Sequence, residues 1–68
     1  MDEETFNTGV RKFLKKVGVT SQQEIEKAVR QALEDGRLNG DETLKANVKL
    51  TIGQLDVEVD IDGDIDLT

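Results

Sequence analysis

A chain of 68 residues has room for one small domain, and such a domain buries only ~60% of the surface its unfolded chain exposes. It contains no Cys, His, Tyr, Trp or Pro, which removes disulfides, thiolate and imidazole metal ligands and the commonest general base. Fifteen acids against nine bases give a formal net charge of −6, a balance that repels phosphate and anionic lipid and favours solubility or a basic partner.

The acidic excess is local. Up to Leu55 acids and bases cancel; from Asp56 onward there are six acids and no base. The start, Met1-Asp2-Glu3-Glu4, is acidic where a signal peptide is basic and then apolar. No apolar run approaches the ~20 residues of a membrane span. The expectation is a cytoplasmic protein with no membrane association.

Residues 2–17 read as an amphipathic helix. Phe6, Val10, Phe13, Leu14 and Val17 form one stripe of the 3.6-residue period, and Arg11, Lys12, Lys15 and Lys16 lie opposite. Asp2, Glu3 and Glu4 suit the positive end of the helix dipole, and Lys15 and Lys16 the negative end. Gly18 is the expected stop, and Gly9 a weak point costing about 1 kcal/mol against Ala. Ser21-Gln22-Gln23-Glu24 has the spacing of a capping box and opens a second helix. Its stripe is Ile25, Ala28, Val29, Ala32 and Leu33, and Gly36 closes it in the left-handed region. On this reading Ser21→Ala removes a cap and costs roughly 1 kcal/mol.

Residues 37–43 are a polar connection with Asn39-Gly40-Asp41 as turn signal. Residues 44–61 then alternate apolar and polar with period two: Leu44, Ala46, Val48, Leu50 and Ile52, then Leu55, Val57, Val59 and Ile61. A two-residue turn at Gly53-Gln54 makes a hairpin. Ile52 then faces Leu55, Val48 faces Val59, Lys49 meets Glu58 and Lys45 lies opposite Asp62. Ile65 and Leu67 keep the odd-number phase, so the C-terminal end either continues the second strand or turns at residues 62–64 into a short third one. The fold class that follows is α+β. Two antiparallel helices pack on one face of an antiparallel β-hairpin, in the order ααββ, with the third strand left open. The expected core is Phe6, Val10, Phe13, Leu14, Val17, Ile25, Val29, Leu33, Val48, Leu50, Val57 and Val59.

Three patterns bear on function, each with a plainer reading beside it. Glu58 to Asp66 places acids at alternate positions around Gly63, like the first half of an EF-hand loop. Its first position is Glu, however, and a strand precedes it, so a solvated acidic strand face is the simpler account. The helix–turn–helix order with a following hairpin resembles a winged helix. Glu24 falls where that motif wants an apolar residue, and the wing would be acidic, against the need to neutralise phosphate. Arg11, Lys12, Lys15 and Lys16 could form a basic interaction face; a helical charge run opposite an apolar stripe is ordinarily the wet side. No nucleophile–base pair can be assembled from these residue types, so no catalytic residue, cofactor or metal site is assigned and no enzyme is expected.

Thr5-Phe6-Asn7, the run from Val10 to Gln22 and the segment Glu34-Asp35-Gly36-Arg37-Leu38 resemble a family of short bacterial proteins of unknown function. The resemblance extends over most of the chain and supplies no functional residue. The leading expectation is a non-catalytic protein–protein interaction module with a protein partner. A winged-helix-like nucleic-acid-binding domain is the alternative, and a divalent-cation-responsive domain the third. Like charges along each hairpin edge favour a monomer.

Overall fold

The computed structural model describes all of residues 1–68. It contains α1 (Glu3–Glu34), β1 (Thr43–Ile52), a 3-10 turn (Gly53–Leu55) and β2 (Val57–Asp66). Two compact units result, Met1–Arg37 and Leu38–Thr68.

The first unit corrects the expected helix pair. A single helix of 32 residues runs through Gly18, Val19, Thr20 and Ser21 without interruption. The physical reason lies in phase. Phe6, Val10, Leu14 and Val17 are spaced four, four and three; Val17, Ser21, Ile25 and Ala28 repeat that spacing. An 11-residue repeat averages ~3.67 residues per turn, so the stripe stays nearly straight along one helix. Gly18 ends nothing because a helix stops at glycine only where glycine enters the left-handed region, and the positive-φ glycines are Gly36 and Gly40.

The caps lie elsewhere than at Ser21. Asp2 is the N-cap: its Oδ1 accepts from the backbone N–H of Glu4 at 3.0 Å and of Thr5 at 3.4 Å. At the other end Gly36 has φ 80°, and the Arg37 N–H donates to the Ala32 carbonyl at 2.9 Å. That is the six-to-one bond of a Schellman termination, as the glycine suggested. With Ser21 in mid-helix, Ser21→Ala no longer removes a cap. Alanine has the higher helix propensity, so the substitution should leave stability unchanged or raise it by about 0.5 kcal/mol. Chemical denaturation followed by circular dichroism checks this; a loss near 1 kcal/mol would restore the cap.

The second unit is a two-stranded antiparallel sheet. Its register pairs Ile52 with Val57, Leu50 with Val59, Val48 with Ile61 and Leu44 with Ile65. This corrects the expected pairing by two residues, which keeps every side chain on its predicted face. The loop is longer because Asp56, at φ 53°, takes the left-handed position and its N–H donates to the Gly53 carbonyl at 3.3 Å. Asp tolerates that backbone better than Gln54 would. No third strand forms: β2 runs straight through Asp62 and Gly63, and the Leu67 N–H reaches the Glu42 carbonyl at 3.1 Å.

The expected core is also corrected. Ala32, 8% exposed, is the one buried residue. Val17, Val29, Leu50 and Val57 are half-buried. Phe6, Val10, Phe13, Leu14, Ile25, Leu33, Val48 and Val59 are exposed, Phe13 by 52% and Leu14 by 57%. With one helix in place of two, the antiparallel helix pair that was to bury the stripe does not exist.

Candidate interaction surface

Along α1, Arg11, Lys12, Lys15 and Lys16 are all exposed and sit in the helix interior, away from either terminus. None of the four takes part in an ion pair. Those of the unit join Arg30 to Glu26 at 3.6 Å and Arg37 to Asp35 at 2.9 Å. The four cations therefore hold their charge against water, on the side of the helix opposite Phe6, Val10, Phe13 and Val17. Exposed pairs of the Arg30–Glu26 kind contribute little to stability.

The polar face of the hairpin is a ladder in which Glu58, Asp62, Asp64 and Asp66 each meet a donor. Thr43 Oγ1 donates to Asp66 Oδ1 at 2.8 Å, and Asn47 Nδ2 to Asp62 Oδ1 at 2.7 Å. Lys45 Nζ lies 3.4 Å from Asp64 Oδ1. Lys49 is directly opposite Asp60 in the ladder, yet its Nζ pairs with Glu58 Oε1 at 2.8 Å. The expected Lys49–Glu58 contact thus exists as a diagonal, while Lys45 meets Asp64 rather than Asp62. Alternate residues of a strand stand ~6.6–6.8 Å apart, so these carboxylates are spread in a row, whereas a calcium ion gathers six to eight oxygens around one point. No group of three or more acidic side chains converges in a way that could hold a metal ion. The EF-hand likeness of residues 58–66 is a property of an acidic strand.

The opposite, apolar face of the hairpin carries Val48, Ile52, Val59 and Ile61 in exposed positions, Ile61 at 55%. Its centre is a pair of small residues, Ala46 opposite Gly63. A side chain at Gly63 would meet nothing within 4 Å. A shallow depression of about 490 Å³ is lined by this pair together with Lys45, Asn47, Asp62 and Asp64 of the polar face.

The perturbed carboxylates are all local fasteners. Asp2 is held below its ordinary pKa by the Thr5 hydroxyl, which donates at 3.0 Å, and by the backbone N–H groups of Thr5 and Glu4. The Arg37 guanidinium lowers Asp35. Glu42 is lowered by the backbone N–H groups of Asn39 and Gly40, both at 2.9 Å. A carboxylate with a lowered folded-state pKa contributes stability above its unfolded pKa and loses it as pH falls through the folded value. Helicity of the first turn and order in the residue 39–42 turn should therefore hold from neutrality to about pH 4 and decline below it. Amide NMR shifts of Glu4, Thr5, Asn39 and Gly40 report this directly; shifts that move above pH 5 would contradict the assignment.

The two hydroxyl–carboxylate contacts, Thr5–Asp2 and Thr43–Asp66, are exposed, one at the helix cap and one across the strand pair. The helix-turn-helix likeness loses its turn, because residues 18–21 are helical. Sequence reasoning placed the basic row on α1 and missed the larger feature, the exposure of both apolar faces. The unbroken spacing of the stripe across Gly18 was the signal for a single helix.

Compared with known proteins, residues 1–68 match the model of a family described as a family of unknown function (DUF6494). No curated protein and no solved structure matches the chain.

Proposed function

This chain belongs to that family of unknown function along its whole length, and from that premise we propose that it is a non-catalytic protein-interaction module. One observation carries the reading. The large apolar side chains that would ordinarily form a core are on the surface, and a single alanine is buried. Contiguous apolar patches of more than a few hundred Å² are uncommon on free-standing proteins and mark surfaces that another polypeptide covers. The residue types support the same reading, since the chain has neither His nor Cys and its shifted carboxylates serve caps and turns.

The expected preference for a monomer came from charges on the hairpin edges, and the exposed faces are a separate matter. Arg11, Lys12, Lys15 and Lys16, free of intramolecular ion pairs, give the module a secondary contact for an acidic segment of the partner. Nucleic acid is not proposed as a ligand, because the net charge of −6 opposes phosphate. Membrane insertion is not proposed either: no helix is long and apolar enough to cross a membrane. No cofactor or metal is assigned.

Affinity capture from the source cell tests the reading, with the intact chain and its Phe13→Glu variant as paired baits. A discrete set of proteins, other copies of the chain included, should be retained by the first and lost by the second. Recovery of nothing specific, or equal recovery by both baits, would refute an apolar docking surface.

A further inference from the structure

We propose that the free edge of β2 receives an extended polypeptide segment in which apolar residues alternate with lysine or arginine, added antiparallel as a third strand. The inference goes beyond the interaction-module reading and makes no use of α1.

Hydrogen bonding decides what that edge presents. The Leu67 N–H donates to the Glu42 carbonyl at 3.1 Å, and these two residues form the pair next to Thr43–Asp66. In an antiparallel ladder hydrogen-bonded pairs alternate with pairs that exchange no bond. Glu42–Leu67, Leu44–Ile65 and every second pair as far as Ile52–Val57 are therefore the bonded ones. The pairs between them turn their N–H and C=O groups outward. On β2 the outward residues are Glu58, Asp60, Asp62, Asp64 and Asp66. Each unpaired donor and acceptor of that backbone thus belongs to an acidic residue. The sheet has two strands, so β2 has no strand neighbour on that side.

The strand itself carries no obstruction. It is ten residues long and contains no proline, and its register with β1 runs ten pairs without a bulge. Short length, proline and bulges are common means of blunting an edge. Here charge alone does so, and charge selects by sign.

That charge is only partly met from within. Of the five acids of β2, Glu58 and Asp64 face cations, Lys49 at 2.8 Å and Lys45 at 3.4 Å. Asp62 and Asp66 accept from the neutral groups of Asn47 and Thr43. Asp60 is left out, because Lys49 opposite it pairs with Glu58. A strand laid along this edge sets one row of side chains opposite the acids and the alternate row beside Val59, Ile61 and Ile65. Basic residues complement the first row and apolar residues the second. A second copy fits neither way. Its β2 would set acid against acid, and its β1 brings only Lys45 and Lys49, both already held by their own acids.

The probe is a blocked peptide of alternating lysine and valine, as long as β2, titrated into the intact chain and followed by amide NMR. Binding should slow solvent exchange at the outward amides of Asp60, Asp62 and Asp64. The amides of Lys45, Asn47 and Lys49, on the opposite edge, should not change. The same peptide N-methylated at its lysines keeps its charge and loses the donors that face β2, and should bind roughly tenfold more weakly or worse. Asp60→Pro removes an outward N–H and no bond to β1, a position where an edge strand accepts proline, and should weaken binding by a similar factor. Asp60→Asn removes charge alone and should weaken it less. Should the proline variant fail to fold, the methylated peptide on the intact chain carries the test. Absence of binding, or equal binding of the two peptides, would overturn the proposal. So would equal losses in the two Asp60 variants, protection on the β1 edge, or sedimentation of the chain alone as a growing series of oligomers, the mark of a second copy on the edge. Phe13→Glu should bind the peptide as the intact chain does. Failure of peptide binding, with capture of proteins through Phe13 retained, would refute the edge and leave the interaction-module reading standing.

Discussion

Gln22→Pro is expected to cost about 3 kcal/mol or more and to break α1 near its middle. Gln22 lies inside a helix that runs from Glu3 to Glu34. Proline there removes a backbone donor from the i→i−4 ladder, and its ring clashes with the carbonyl of Gly18. The same substitution in a two-helix arrangement would fall on the first helical position after a Ser21 cap, where proline is well tolerated. The two architectures thus predict opposite outcomes for one change. Gln22→Ala is the control, since the only side-chain bond lost is that from Gln22 Nε2 to Glu26 Oε1 at 3.1 Å on the exposed surface. Circular dichroism at fixed protein concentration reads both. Unchanged helix content in the proline variant would mean that the chain turns at residues 18–21.

Asp56→Val should destabilise the hairpin by about 1–2 kcal/mol, because a β-branched residue is forced into the left-handed region at φ 53°. Asp56→Gly should cost nothing at that backbone position. The valine variant has an escape that makes the experiment more informative than a melting curve. Moving β2 by two residues returns a two-residue turn at Gly53-Gln54 and relieves position 56 of positive φ. Cross-strand NMR contacts from Val48 should then move from Ile61 toward Val59. Contacts that stay on Ile61, with unchanged stability, would show that the loop does not depend on the conformation of Asp56.

That escape explains what was legible in the hairpin and what was not. Apolar residues fill almost every odd position from Leu55 to Leu67, with Gly63 the exception, and acids fill every even position from Asp56 to Asp66. The alternation determines which side chains share a face, since a one-residue slip would set apolar against charged throughout. It is blind to a slip of two. Lys49 meets an acid opposite whether that acid is Glu58 or Asp60, and Asn47 likewise with Asp60 or Asp62. Only the turn distinguishes the registers, and the turn depends on which residue accepts positive φ.

The helix failed for a different reason. Gly18 and the Ser21–Glu24 spacing are local stop and start signals, each sound by itself, and they outweighed a periodicity that continues across them. Asp2 and Gly36, the true ends, carry the same kinds of signal with no apolar phase beyond them. The basic row was legible because a charge row needs only helical spacing. Exposure of the apolar stripe was not legible, because one sequence contains no record of what lies against it.

The burial of Ala32 alone bears on the heat capacity of unfolding. Folded chains of this length ordinarily release ~0.8–1.0 kcal/mol/K on unfolding, most of it from apolar surface newly met by water. An isolated copy has less such surface to release, because its large apolar side chains are already about half exposed. Its unfolding should be shallow in temperature, with a small enthalpy and no sharp calorimetric peak. The missing heat capacity belongs to the covered state. It should appear in full only where another polypeptide lies on the stripe, and the midpoint of melting should then climb with the concentration of that polypeptide.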